Sequence, residues 1–316
     1  MKISLVITIF NEESTLDLLL NAIKKQTQQI NELIIVDGGS TDRSWEILKT
    51  YQQQKFFKNK LKIYQKSGNR SIGRNLAIKK AKNDLVAITD AGCIPNKDWL
   101  KKLAKKRHQT QAPVVAGYYY GLAKNHFQQA IIPYVLVMPD KVDDNFLPAT
   151  RSMLINKKTW QEVGGFNERL NHNEDYAFAK ELEKRKINIE IAKEAQVAWL
   201  PRKNLWSFMV MIYRFALGDA EATIFRPKVG LIFARYFLLI LVLFFSWLGL
   251  FFQPVNFLTN YGLIITLLAM IGYSSWAIGK NKKYVPAGWW WLPILQIFSD
   301  LTVIVGTVTG SLKKLD

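Results

Sequence analysis

Aliphatic runs at 3–9, 32–36, 61–64 and 85–89 are short, rich in Val, Ile and Leu, and read as buried strands. Between them the pattern changes, and 14–26, 44–53 and 74–82 read as helices, the first of them amphipathic. Strands alternating with helices of these lengths predict an α/β fold, a mostly parallel sheet covered by helices on both faces. Such sheets bind ligands beyond the carboxyl ends of their strands. That rule singles out three segments: Phe10-Asn11-Glu12, Asp37-Gly38-Gly39-Ser40-Thr41-Asp42 and Asp90-Ala91-Gly92. Later helices are expected after Trp99 and over 176–185.

The pattern breaks near Arg226. From 229 to 252 the chain is apolar except for Arg235 and Ser246, enough at ~1.5 Å per residue to cross a ~30 Å hydrocarbon core. Two more such stretches run over about 257–279 and 289–312, the last weakened by Asp300 in its middle. Arg226 and Lys228 precede the first stretch, no charge lies in 253–256, and Lys280, Lys282 and Lys283 follow the second. Basic flanks mark the cytoplasmic side, so the expectation is a cytoplasmic domain over 1–225 and a membrane region over 226–316. The chain would be a multi-pass protein of the cell (inner) membrane. A third crossing would carry Lys313 and Lys314 outside, so 289–312 reads equally as a re-entrant or interfacial segment with Trp289, Trp290 and Trp291 at headgroup level. The first residues form a strand and not a signal peptide, because Asn11-Glu12-Glu13 follows the apolar run.

Charge narrows the partners. A net charge of +18 over 316 residues, spread across both parts, calls for nucleic acid, anionic lipid or a phosphorylated substrate. The apolar tail favours lipid and phosphate; no aromatic-interleaved basic module speaks for nucleic acid. Cys93 is the sole cysteine, which excludes an intrachain disulfide. No Gly-x-Gly-x-x-Gly follows an early strand and no Gly-Lys-Ser/Thr loop occurs, arguing against dinucleotide oxidoreductases and P-loop phosphotransferases. The histidines, His108, His126 and His172, show no ligand spacing.

Asp37 ends a strand and offers two acceptors to a base or sugar edge, while Ser40, Thr41 or Asp42 would cap the helix that follows. Asp90 ends another strand on the same sheet edge. Arg70 and Arg74 read as phosphate contacts or solvent-facing side chains. Glu174-Asp175 precedes a helix, where acids offset the dipole, and a carboxylate there can also accept a hydroxyl proton.

Five segments in order, Ser4-Leu5-Val6-Ile7-Thr8-Ile9-Phe10-Asn11-Glu12, Val36 through Asp42, Gly73-Arg74-Asn75, Thr89-Asp90-Ala91-Gly92, and Gly164-Gly165-Phe166 followed by Glu174-Asp175, resemble glycosyltransferase family 2. The resemblance covers roughly two thirds of the chain. It implies a Rossmann-like GT-A domain that moves sugar, with inversion, from a nucleotide-sugar donor that is UDP-linked. Residue by residue it implies that Thr8 and Glu12 line the nucleotide, Asp37 reads the base, and Arg70 or Arg74 faces the nucleotide side. Asp90 would approach a diphosphate bridged by Mg²⁺ or Mn²⁺, Asp175 would be the catalytic base, and Gly165, Phe166 and Glu174 would lie on the acceptor side or position it. Gly92 departs from the family pattern, which places a second acid there, so Asp90 would share its ion with the donor's phosphates and water. Only Arg214 and an aromatic remain of the Gln-x-x-Arg-Trp of processive synthases, which favours single-sugar transfer. The expected acceptor is lipid-linked or a glycan, at the lipid membrane, in cell-envelope or exopolysaccharide assembly. The alternatives are a polyprenyl-phosphate glycosyl synthase and a non-catalytic membrane adaptor.

Overall fold

The structure is a computed structural model, described here for residues 1–248 and 256–313. One eight-stranded sheet is built from β1 (Ile3–Ile9), β2 (Glu32–Asp37), β3 (Leu61–Gln65), β4 (Leu85–Ile88), β5 (Cys93–Pro95), β6 (Val114–Gly121), β7 (Met153–Asn156) and β8 (Ile189–Trp199). Its spatial order is β3-β2-β1-β4-β7-β6-β8-β5. The strands β3, β2, β1 and β4 run parallel, β7 is antiparallel to both its neighbours, and β6 pairs parallel with β8. Every residue of β2 is buried, which explains its uninterrupted apolar run: a parallel strand covered on both faces has no polar side to show.

Helices α1 (Leu16–Lys24), α2 (Ser44–Gln53), α3 (Arg70–Lys80), α4 (Trp99–Thr110), α6 (Lys157–Glu162) and α7 (Glu174–Lys184) belong to the same compact unit, residues 1–122 and 136–201. Val6, Ile34, Ile78, Val86, Trp160, Phe166 and Phe178 share one buried cluster, so α3, α6 and α7 close on the sheet as one core. Two helix starts differ from expectation in ways that bear on function. The third helix begins at Arg70 and not at 74, because the Asn69 side chain accepts a hydrogen bond from Ile72 N (3.1 Å) and caps the earlier turn. The helix expected from 176 begins at Glu174, which places Asp175 inside its first turn. At α2 Arg43 holds the cap position without a side-chain cap bond, and of the three expected caps, Ser40, Thr41 and Asp42, it is Asp42 whose Oδ1 accepts the first helical N–H, from Ser44 (3.0 Å).

A second unit comprises residues 123–135 and 202–316. Its described helices are α5 (His126–Val135), α8 (Leu205–Glu221), α9 (Pro227–Leu248), α10 (Asn256–Asn281) and α11 (Trp291–Leu312). A Cβ at Gly306 or Gly310 would come within 2.7 Å of the carbonyl oxygens of Tyr213 and Leu217, so these glycines let α11 lie directly on α8. Among the described residues, Pro227–Phe245 and Trp291–Leu312 are helices long and apolar enough to cross a membrane. Residues 249–252 of the first expected span, and the uncharged residues after it up to 255, lie outside the described residues.

Asp300, the acid that weakens the third apolar segment, is 1% exposed. It receives Arg235 Nη2 from α9 at 3.2 Å, Gln296 Nε2 at 2.9 Å and the Tyr273 hydroxyl from α10. A carboxylate among apolar helices is tolerated when it is paired and hydrogen-bonded in this way. Asp300→Leu should therefore lower the melting temperature of the detergent-solubilised protein, because it strands Arg235, and Arg235→Leu in the same chain should recover most of the loss. Equal losses in the single and double variants would contradict the pairing.

Candidate active site

Loops that follow β1 and β2 are laced together by side chains. Asn11, with φ of 55°, accepts Thr41 N through its Oδ1 (2.8 Å), and its own N donates to Ser40 Oγ (2.9 Å). Ser40 in turn donates from both N and Oγ to Asp37 Oδ1 (3.0 and 2.6 Å), and Gln65 Nε2 donates to Asp37 Oδ2 (3.2 Å). Asp37, fully buried at the end of β2, therefore braces this loop with both carboxylate oxygens. Glu12 N donates to Ser44 Oγ (2.8 Å) and Glu12 Oε2 accepts the Thr15 hydroxyl (2.5 Å), which ties the β1 loop to the starts of α1 and α2. Thr8 lies under α3. A Cβ at Gly73 would meet Thr8 Cγ2 at 2.7 Å, so only glycine lets the helix approach β1 this closely.

That approach delivers Arg74. The guanidinium is 3% exposed and spans two acids: Nη2 pairs with Asp90 Oδ1 at 2.9 Å, and Nη1 pairs with Glu174 Oε1. Its flat face lies over the Phe166 ring, 5.5 Å from the centroid, and Phe166 packs on Phe178 at 4.4 Å. The next residue fixes the other wall. Asn75 Nδ2 donates to Phe166 O and to Glu168 Oε1, both at 2.8 Å, while Phe166 N donates back to Asn75 Oδ1 at 2.9 Å. Gly164 and Gly165 enter this turn with φ of 87° and 72°, a left-handed conformation that disfavours side chains. Phe166 is 1% exposed. Its ring supports Arg74, and Arg74 is engaged by two carboxylates.

One arginine thus joins the end of β4, where Asp90 lies, to the first turn of α7, where Glu174 and Asp175 lie. Burial disfavours a charged Asp90, but the guanidiniums of Arg74, Arg151 and Arg70 outweigh it and hold the carboxyl below its ordinary range. Asp175 shifts the other way. Burial comes first and the neighbouring Glu174 charge second, and together they push its carboxyl up against the pull of Arg151 and Arg74. Glu174 is 2% exposed and its Oε2 has no partner among the described residues.

Arg151 has no motif around it and is missed from sequence; only the fold brings it here. Its backbone oxygen accepts the Thr89 hydroxyl (2.8 Å), and the preceding Thr150 donates to Asp90 Oδ2 (3.4 Å). Its guanidinium stands over the Tyr119 ring, 5.3 Å from the centroid. Trp199 is 6% exposed and paired in the ladder with Cys93. Arg202 and Arg214 belong to the second unit.

A divalent cation finds a limited set of ligands. Among the described residues no three His, Cys, Asp or Glu side chains gather to hold a metal. Asp90 Oδ1 is taken by Arg74 and Oδ2 accepts the Thr150 hydroxyl at 3.4 Å, while a Cβ at Gly92, two residues on, would meet nothing within 4 Å. The residues fit a hard cation only if further oxygens arrive with a ligand.

The sheet thus ends β2 and β4 in carboxylates, and one arginine joins the second of them to an acid-tipped helix. The chain belongs to the family described as glycosyl transferase family 2, whose model matches residues 4–169, just over half of it. It is 32% identical over 120 residues to glycosyltransferase GlyG of Streptococcus pneumoniae, covering 37% of this chain and 39% of that one. The match to GlyA of the same organism spans 17% of that protein, so the chain covers well under half of these relatives. A longer match, 23% identical over 300 residues, covers 89% of the chain and 88% of the succinoglycan biosynthesis protein ExoA of Rhizobium meliloti. Among solved structures, the mannosyltransferase PcManGT of Pyrobaculum calidifontis, in complex with GDP-Man and Mn²⁺, superimposes with a TM-score of 0.60 at 13% identity over 97% of this chain and 87% of that one. Staphylococcus aureus TarS 1-349 in complex with UDP-GlcNAc gives 0.53 at 19% identity over 98% and 90%. The fold is therefore GT-A, and residues 4–169 carry a glycosyl transferase family 2 domain.

Arg74→Met would bury Glu174 without a counter-charge, a loss of about 3–5 kcal/mol. Thermal unfolding should rank the variants wild type, then Arg74→Met with Glu174→Gln, then Arg74→Met alone; if the second substitution gave no recovery, the pair would not be the buried support described.

Proposed function

We propose that this glycosyltransferase inverts configuration as it moves one sugar from a UDP-linked donor to a membrane-associated acceptor in cell-envelope or exopolysaccharide assembly. The observation that carries the reading is Arg74, which holds a donor-side acid, Asp90, and the start of the acceptor-side helix bearing Asp175 in one buried network. Inversion needs a base on the face of the sugar opposite the leaving diphosphate. Asp175 is assigned as that base. Its raised carboxyl makes it a better proton acceptor than an ordinary aspartate once ionised, and Arg151 and Arg74 limit the rise. Glu174 positions it through Arg74, and Gly164-Gly165 shape the wall nearest the acceptor.

On the donor side, the loop braced by Asp37 and the backbone at Thr8 and Glu12 receive the nucleotide, with Arg70 at the exposed first turn of α3. Mg²⁺ or Mn²⁺ would be held by Asp90 together with the donor's own oxygens, and would supply charge to offset the departing diphosphate. The Mn²⁺ in the PcManGT complex and the UDP-GlcNAc in the TarS complex support this assignment. Residues 1–225 are assigned to the cytoplasm and 226–316 to a multi-pass anchor in the inner membrane, supported by the apolar helices Pro227–Phe245 and Trp291–Leu312 and by the basic residues Arg226, Lys228, Lys280, Lys282 and Lys283.

The detergent-solubilised protein should turn over a UDP-sugar with Mg²⁺ or Mn²⁺, and Asp175→Asn should cut transfer by about 10²–10⁴-fold while nucleotide binding is kept. Substantial residual transfer would contradict the base and point to an acceptor that is already ionised, such as a lipid phosphate. The sign of the pH effect follows from the charges. Rate is lost as pH falls through the raised value of Asp175, so the acid limb of kcat/KM lies above the ordinary aspartate range, and Glu174→Gln, which removes a like charge, moves that limb to lower pH. A limb that stays put in Glu174→Gln would contradict this coupling.

A further inference from the structure

Six charged groups meet around the Arg74 network: Arg70, Arg74 and Arg151 against Asp90, Glu174 and Asp175. The two inner arginines are used differently. Arg74 is fully engaged, one Nη on each of two carboxylates. Arg151 makes no ion pair among the described residues, although its field reaches both Asp90 and Asp175. It is held instead by a ring and by its backbone. Tyr119 supports the guanidinium face at 5.3 Å, and Tyr119 is itself 6% exposed and stacked on Tyr118 at 5.6 Å. Thr89 fixes the Arg151 carbonyl and Thr150 leans on Asp90, so the segment 150–151 is pinned to the end of β4. A planar cation seated on an aromatic face keeps its N–H edges for an anion.

The second acid that would recruit a metal is replaced by Gly92, and nothing lies within 4 Å of where its Cβ would be. Positive charge at this end of β4 therefore comes first from the protein. Resting on the glycosyltransferase reading above, we propose that Arg151 is a phosphate-binding residue that receives the donor's diphosphate directly, before and independently of any metal ion. The guanidinium geometry suits paired phosphate oxygens, and Tyr119, which meets it with its ring and accepts a hydrogen bond from it at the hydroxyl, fixes its orientation while the other N–H groups of the fork are left for an anion. Arg70, exposed at the first turn of α3, would add a second and looser cation. Arg74 cannot take this role without abandoning Glu174.

The test measures binding, not turnover. UDP and GDP are titrated into the full-length, detergent-solubilised protein in EDTA by calorimetry, for wild type, Arg151→Gln and Arg151→Lys, with melting temperature as the check on folding. The wild type should bind one of the nucleotides without metal, Arg151→Gln should bind it at least about tenfold more weakly, and Arg151→Lys should recover part of the loss. Because Arg151→Gln could disturb packing on Tyr119, uridine or guanosine is titrated alongside: the nucleoside, which has no phosphate, should bind wild type and Arg151→Gln alike. Equal loss for nucleoside and diphosphate, or no loss for the diphosphate, would overturn the assignment while leaving the glycosyltransferase reading intact. Failure of wild type to bind either nucleotide, with or without Mn²⁺, would overturn both.

Discussion

The site depends on a buried arginine that answers two carboxylates from distant parts of the chain. Arg74 sits on α3, Asp90 after β4 and Glu174 at the start of α7, so a single guanidinium sets the spacing between the end of β4 and the helix that carries Asp175. Burying Arg74 and Glu174 is costly unless each is paired, and Arg74 uses both Nη groups, one on Glu174 and one on the partly exposed Asp90, and rests on Phe166. The surrounding sequence is built for that placement. Gly73 permits the close approach to Thr8, Asn75 fastens the Gly164-Gly165-Phe166 turn, and Asn69 starts the helix early enough to aim all three.

Much of the first unit was legible in the sequence, because parallel strands buried on both faces must be continuously apolar and Asp37 and Asp90 end two of them. The helix starts were less so. Asn69 as a cap is a side-chain event one residue long, and Glu174-Asp175 reads the same just before a helix or just inside it. Phe166 and Arg74 could be picked out as positions, but burial, which decides whether they touch a ligand or hold the wall, is a property of packing. Arg151 was invisible for a related reason. Thr150 and Arg151 fall in no motif, and only the antiparallel pairing of β7 with β4 sets them beside Asp90.

In the second unit, Asp300 looked from sequence like a defect in an apolar segment. Three helices supply its partners, so the acid that argues against a span also binds the helices together. The α8 helix, within the range expected to be cytoplasmic, belongs to the same compact unit as α11 and meets it through Gly306 and Gly310. Small residues that allow such approach carry no apolar signal of their own, which is why hydropathy alone does not reveal the contact.

The central claim is that Asp90 is already committed to Arg74 and cannot hold a metal ion by itself. Titration calorimetry of Mn²⁺ into the protein, first alone and then saturated with UDP, tests this most directly. The account predicts no saturable heat from the nucleotide-free protein and clear saturable binding once the nucleotide supplies its phosphate oxygens. Tight, saturable Mn²⁺ binding to the nucleotide-free protein would contradict it, and would require a second protein ligand beside Asp90, with Glu174 and His172 the first to substitute.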